Sequence, residues 1–473
     1  MLDAPTPALL AELQQRLGPR GFTADPADLE PWTADWRGRV KGAAAALLSP
    51  ANVDEVQVIV RLAAQARVGL VPQGGNSSMV AGATPPADGH SLLVSLRRMR
   101  TIRALSADDN VAIVEAGVVL EDFHHAAEAI GRRFPLSLAA KGSATIGGLV
   151  STNAGGTQVL RFGTMRALLL GIEAVLPSGE RFDGLTALRK DNRGYDLRQL
   201  FAGAEGTLGF VTAASLRLIP AIGSRSVAWV GLADAPKALA LLRRLEGRMG
   251  DAIESFEIVP ATALALVLQH IPGTRAPLSD PHRWNVLIEA TAPEGAPAPA
   301  LEEALGEAIE AGLIADATVA ASEAQADALW KLREAISEAE RIDGMGAKHD
   351  VSVPVSRMPE LLEDGARQVE ARFPGIRVLA FGHLGDGNVH FNVRPPIGAD
   401  DRAWLADEGE RASAFVHDLV GAMGGSLSAE HGIGQIKRAE FARTADPVRI
   451  ATLRAIKGAI DPDGIMNPGK LIP

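Results

Sequence analysis

Gly142-Ser143-Ala144-Thr145-Ile146-Gly147-Gly148, then Ser151-Thr152-Asn153-Ala154-Gly155-Gly156, put five glycines into the fifteen residues 142–156 and no charged side chain. A solvent loop would be more polar, and a packed strand would carry larger side chains. Close backbone approach to a bulky planar ligand accounts for both features. Upstream, Pro72-Gln73-Gly74-Gly75-Asn76-Ser77-Ser78 closes a strand–helix–strand pattern. The first strand ends at Leu47-Leu48-Ser49-Pro50, Asn52 with Glu55 opens the helix, and Leu70-Val71 starts the second strand. The paired glycines let consecutive N–H groups turn one way, forming a nest for phosphate oxygens, and the serines add donors. The chain contains neither G-x-G-x-x-G nor G-x-x-x-x-G-K-[ST], which disfavours a Rossmann or P-loop fold.

At about 150 residues per domain, 473 residues make about three domains, or two with one interrupting the other. A net charge of -10 argues against a nucleic-acid partner, whose phosphates need concentrated positive charge. The absence of cysteine excludes disulfides, iron–sulfur clusters, thiol catalysis and a cysteine-linked flavin. Any metal must therefore use His, Asp or Glu, which makes the ten histidines worth tracking. Residues 1–21 read as an amphipathic helix rather than a signal peptide, and no window reaches the roughly 18 apolar residues of a membrane span. A cytoplasmic location is the expectation.

After Pro220 the texture changes. Strands over 227–232, 253–259 and 284–290 alternate with helices over 236–245 and 301–311, predicting a second α+β domain. A single long helix is expected over 322–342, with Arg333 and Ser337 four apart on one face.

Gly382-His383-Leu384-Gly385-Asp386-Gly387-Asn388-Val389-His390-Phe391-Asn392 reads as a hairpin with Asp386-Gly387 at its tip. That register sets His383 directly opposite His390, the start of a divalent-metal site, and points Asn388, His390 and Asn392 to one side. A third ligand is needed. Ser428-Ala429-Glu430-His431-Gly432-Ile433-Gly434 offers a carboxylate and an imidazole on a tight turn. Two His and one carboxylate leave coordination positions open, the pattern of a reactive site.

The order P-x-G-G-N-S-S, T-I-G-G, S-T-N-A-G-G, R-x-G (Arg161-Phe162-Gly163) and E-G-T-L-G (Glu205 to Gly209) resembles the vanillyl-alcohol-oxidase/PCMH flavoproteins. G-H-x-G-D-G-N-x-H-x-N followed by E-H-G-I-G is similar to their D-2-hydroxyglutarate/D-lactate dehydrogenase branch. The resemblance implies an α+β fold: an N-terminal segment (1–42), a PCMH-type FAD-binding domain of two subdomains (43–222), a substrate and metal cap domain (223–400), and a C-terminal helical segment returning to the flavin (401–473). It implies non-covalent FAD contacted by Pro72, Gly74, Gly75, Asn76, Ser77, Ser78, Gly142, Ser143, Ile146, Gly147, Gly148, Thr152, Asn153, Gly155, Gly156, Glu205, Gly206, Gly209 and Asn467. It carries one divalent metal, zinc by ligand type, to His383, His390 and Glu430.

The same resemblance assigns substrate contact to Arg333, Ser337, Lys348, Asn392 and His431, with His431 as general base. The implied reaction is oxidation of a D-2-hydroxy acid, with D-2-hydroxyglutarate ahead of D-lactate or D-malate. The hydroxyl proton goes to His431 and the C2 hydride to flavin N5. Electrons then leave to an electron-transfer flavoprotein, a quinone or a cytochrome, and a homodimer is the expected assembly. A glycolate oxidase-like subunit, a flavin reductase using a nicotinamide and a non-catalytic flavin or metal-binding subunit are the alternatives.

Overall fold

The computed structural model describes residues 2–473, which form two compact units. Residues 2–155, 163–220 and 430–473 make the first, and 156–162 and 221–429 the second. The expected boundary at 222/223 falls close to the observed one at 220/221, while the expected N- and C-terminal segments do not stand as separate parts. Residues 1–42 do not stand apart: Leu9, Leu13 and Leu17 on the helix Pro7–Leu17 are buried in the first unit's core. The expected C-terminal segment splits at 429/430. Residues 156–162 belong with the second unit because Arg161 pairs with buried Glu254 at 3.3 Å and Ser255 Oγ donates to Thr157 O at 2.8 Å.

The first unit holds two larger sheets and a two-stranded ribbon of Arg132–Arg133 with Ile219–Pro220. In one, Phe22–Thr23, Ala46–Leu48, Leu92–Ser95 and Leu70–Gln73 lie side by side in that order, the last three parallel. The helix Val53–Gln65 starts as its sequence predicts, with Asn52 accepting from Glu55 N–H at 3.0 Å. Late in the chain, Met466 forms a parallel bridge to Leu70, extending that sheet at its edge. The other sheet is antiparallel, ordered Ile102–Ser106, Val111–Glu115, Phe210–Arg217, Leu169–Val175, Arg181–Asp183.

The second unit is built on one antiparallel sheet, seven-stranded among the described residues. Its order is Asp316–Val319, Ile222–Leu232, Trp284–Pro293, Ile253–Pro260, Arg377–His383, Asn388–Arg394, Ala347–Ser352. Helices Ala235–Met249, Leu301–Glu310 and Glu408–Ala422 bury apolar residues against one face. Ala261–His270, Glu323–Glu334 and Ile336–Asp343 cover the other. The long helix expected over 322–342 is therefore two helices, broken at Ala335. Arg333 is buried and Ser337 exposed, so the shared face inferred from their spacing does not survive the break. Among the described residues, no helix is long and apolar enough to cross a membrane.

Candidate active site

In the first unit the two glycine-rich segments lie against each other. A Cβ on Gly74 would come within 2.3 Å of Thr145 Oγ1, and one on Gly75 within 1.9 Å of Ser143 O. The segment 145–152 is not a loop: Ile146–Thr152 is a short helix whose Gly147 abuts Ala116, leaving no room for a side chain. Asn76 sits at φ 53° and donates its side-chain amide to Ala34 O, so it fixes the loop's shape. Two buried acceptor-capable atoms here, Thr145 Oγ1 and Asn467 Oδ1, have no hydrogen-bond partner among the described residues. The glycines let these segments pack closely on one another, and the two unsatisfied polar atoms beside them fit a polar ligand such as a nucleotide cofactor. Gly75→Ala should therefore yield a folded protein with little or no retained flavin; the check is the flavin-to-protein ratio alongside circular dichroism, and full retention would contradict the assignment.

Several residues expected at the cofactor have other demands on them. Asn153 Oδ1 accepts from Thr164 Oγ1 and Arg166 N–H, both at 2.9 Å, and so shapes the turn after the helix. Thr152 Oγ1 donates to Gly148 O. Gly142 and Ser143 are exposed. Gly206, at φ 72°, and Gly209, at φ 148°, shape the turn leading into the strand Phe210–Arg217. Glu205 is 7% exposed and accepts from Ile433 and Gly434 N–H at 2.7 Å each. Burial pushes its carboxyl up, and those two N–H groups offset part of that. Glu205 thus clamps the turn that follows His431, a role its position in sequence did not suggest. Asn467, at φ 45°, donates to Gly82 O at 3.0 Å and Glu205 O at 2.6 Å, tying the C-terminal turn to both regions. His431 Nε2 stands 3.7 Å from Glu430 Oε1, and Gly432 at φ 78° and Gly434 at φ 54° make the tight turn expected there.

In the second unit the hairpin register differs from the sequence expectation. His383 pairs with Asn388, and His390 lies opposite Phe381. The tip is longer than two residues because Asp386 Oδ1 accepts from Asn388 N–H at 2.9 Å, drawing the chain into a side-chain-closed turn with Gly387 at φ 83°. The slip is by two residues, so both histidines stay on the same face. They meet diagonally, with ring centroids 5.4 Å apart. Asn388 and Asn392 share this face, as do Lys348 and Asp350 on the neighbouring strand, through the pairs Lys348–Asn392 and Asp350–His390.

Two buried glutamates that sequence reasoning missed hold these groups. Glu257, opposite His383 in register, places Oε1 2.7 Å from His383 Nδ1 and Oε2 2.7 Å from Arg333 Nη2. Burial opposes a charge on His383, but the Glu257 carboxylate outweighs it and lifts the imidazole to about 9. Burial likewise pushes Glu257 up, and His383 and Arg333 together pull it below its usual range. Glu340 accepts from Lys348 Nζ at 3.0 Å and from Asn392 Nδ2 at 3.0 and 2.8 Å. Asn392 therefore presents its carbonyl oxygen, not its amide N–H, to anything else. The signal for Glu257 was present: a carboxylate flanked by Phe256 and Ile258 in the buried strand Ile253–Pro260 is rare unless paired.

With Nδ1 engaged by Glu257, His383 has Nε2 left for a ligand, an arrangement that suits a metal-binding imidazole because the carboxylate fixes its tautomer. The second unit thus offers a pair of adjacent imidazoles whose chemistry fits a divalent cation. Ala429, its last residue, donates to Asp350 O at 3.2 Å, which anchors the chain one residue before Glu430.

Residues 44–184 match the FAD binding domain model, and 223–471 match the C-terminal domain of FAD linked oxidases. The chain belongs to the FAD-linked oxidase family and has the PCMH-type α+β fold. Within that family it is a member of the D-2-hydroxyacid dehydrogenase branch. It is 36% identical to the mitochondrial D-2-hydroxyglutarate dehydrogenase of Arabidopsis thaliana, over 97% of this chain and 80% of that one. It is also 36% identical to the D-2-hydroxyglutarate dehydrogenase of Xanthomonas citri pv. viticola, over 98% and 96%. Substrate-bound p-cresol methylhydroxylase shares the fold at TM-score 0.74 and 15% identity, covering 98% of this chain and 96% of that one.

Proposed function

We propose that this chain oxidises a D-2-hydroxy acid, D-2-hydroxyglutarate foremost, to the 2-oxo acid, using non-covalent FAD and a divalent cation held by His383, His390 and Glu430. The observation that carries the reading is the single sheet face bearing His383, His390, Lys348 and Asn392, with Arg333 brought to it by Glu257. When bound, FAD supplies the acceptor for the two electrons leaving C2, and the cation supplies Lewis acidity toward the substrate oxygen.

The chain's own residues do the rest. His431 takes the hydroxyl proton as general base. Arg333 and Lys348 bind carboxylate. Their pairing with Glu257 and Glu340 holds both cations in place before substrate arrives, which lowers the entropic cost of orientation. Fixing the carboxylates leaves one enantiomer with its C2 hydrogen correctly directed. Anaerobic reduction of the bound flavin by the D acid and not by the L acid is the test.

A further inference from the structure

We infer that Glu257 is the positioning residue of this site, setting the ligand atom of His383 and the donor direction of Arg333 through one carboxylate. The inference rests on the proposed metal site. Glu257 is 0% exposed and lies in mid-strand, with Leu287 on one side and His383 on the other. Its two oxygens face different partners: Oε1 accepts from His383 Nδ1, and Oε2 lies beside the Arg333 guanidinium.

The two contacts differ in kind. The His383 contact is a hydrogen bond at 2.7 Å, which commits Nε2 to the metal and makes the ring a better donor. The Arg333 contact is equally short, but the guanidinium N–H groups are not aligned on the oxygen. Arg333 Nε is buried with no hydrogen-bond acceptor among the described residues, and Nη2 sits 2.7 Å from Glu257 Oε2 in an ion pair rather than a well-directed hydrogen bond. The guanidinium stacks instead on Phe381, 5.0 Å from the ring centroid. Glu257 therefore neutralises the buried cation without consuming its directional donors. A buried N–H without an acceptor is costly, so those donors favour a ligand that accepts two parallel bonds, which is what a carboxylate does. One side chain thus gives the metal ligand its tautomer and leaves the arginine's donors open for substrate.

The test uses FAD-containing Glu257→Gln, which keeps the shape and removes the charge. Divalent-cation affinity, measured by competition with a chromophoric chelator, should weaken by about 10- to 100-fold. Flavin content should be unchanged. Glu257→Asp restores the charge but shortens the reach, and should recover part of the affinity. Wild-type affinity in Glu257→Gln, with or without a lower Tm, would overturn the inference and leave the metal site standing. A wild-type protein that binds no divalent cation would overturn both. If the stranded Arg333 charge prevents folding of Glu257→Gln, the Glu257→Gln/Arg333→Met variant removes that charge and carries the same measurement, with weakened binding again expected.

Discussion

His383→Ala should leave a yellow, folded protein that turns over no D-2-hydroxy acid at a measurable rate. The residues proposed to hold FAD, 72–78, 143–148 and Asn467, belong to the first unit, and His383 belongs to the second. What is lost is one imidazole ligand and the hydrogen bond on Glu257. Glu257 keeps Arg333 as a partner, so the variant does not leave a buried charge alone. Lewis-acid stabilisation of a developing negative charge is worth several kcal/mol, and about 1.4 kcal/mol is tenfold in rate. A loss on the order of a thousandfold or more in kcat is expected, with the flavin spectrum retained. Chelator treatment of the wild type should reproduce that loss, and added zinc should reverse it only where His383 is intact. Full activity in the metal-free protein would show that the hairpin histidines are not ligands.

Arg333→Lys should separate diacid from monoacid substrates. In the proposed reaction a divalent cation would bind the α-carboxylate, so a distal carboxylate needs its own cation. Arg333 has the geometry for that: 8% exposed, stacked on Phe381, with Nε lacking an acceptor and Nη2 in an ion pair rather than a well-directed hydrogen bond. An ammonium retains the charge but cannot present two parallel donors. Truncating a buried charge pair costs roughly 2–5 kcal/mol. Since lysine keeps the charge, the lower end applies, about a 30- to 100-fold fall in kcat/KM on D-2-hydroxyglutarate or D-malate. D-Lactate oxidation should fall far less. An equal loss on both would place Arg333 at the carboxylate the two substrates share.

The flavin half was the more legible in sequence, because glycine at a close approach is a local requirement. Gly74, Gly75 and Gly147 each abut a neighbouring segment, and no other residue fits there. The hairpin was legible in its face but not in its register. Turn chemistry was decided by the Asp386 side chain, which closes onto Asn388 N–H and competes with a two-residue turn. A slip of two residues preserves the pleat, so the histidine pairing survived the error. The helix break at Ala335 left no trace in composition, having neither glycine nor proline to announce it. Glu257 and Glu340 act across strands and helices far apart in the chain, and no local pattern assigns a carboxylate its partner. The same holds for Glu205, whose glycine-rich context suggested the cofactor while its carboxylate reaches a turn more than two hundred residues away.

In the proposed reaction this chain removes two electrons from a D-2-hydroxy acid and passes them to its own flavin. Anaerobic mixing of the purified, metal-loaded protein with D- and L-2-hydroxyglutarate, and with D-lactate and D-malate, tests it without any assumption about the external acceptor. The account predicts that D-2-hydroxyglutarate bleaches the flavin within the time of a few turnovers, that the other D acids do so more slowly, and that the L enantiomer leaves the spectrum unchanged. A flavin that stays oxidised with every hydroxy acid but bleaches with a reduced nicotinamide would contradict it.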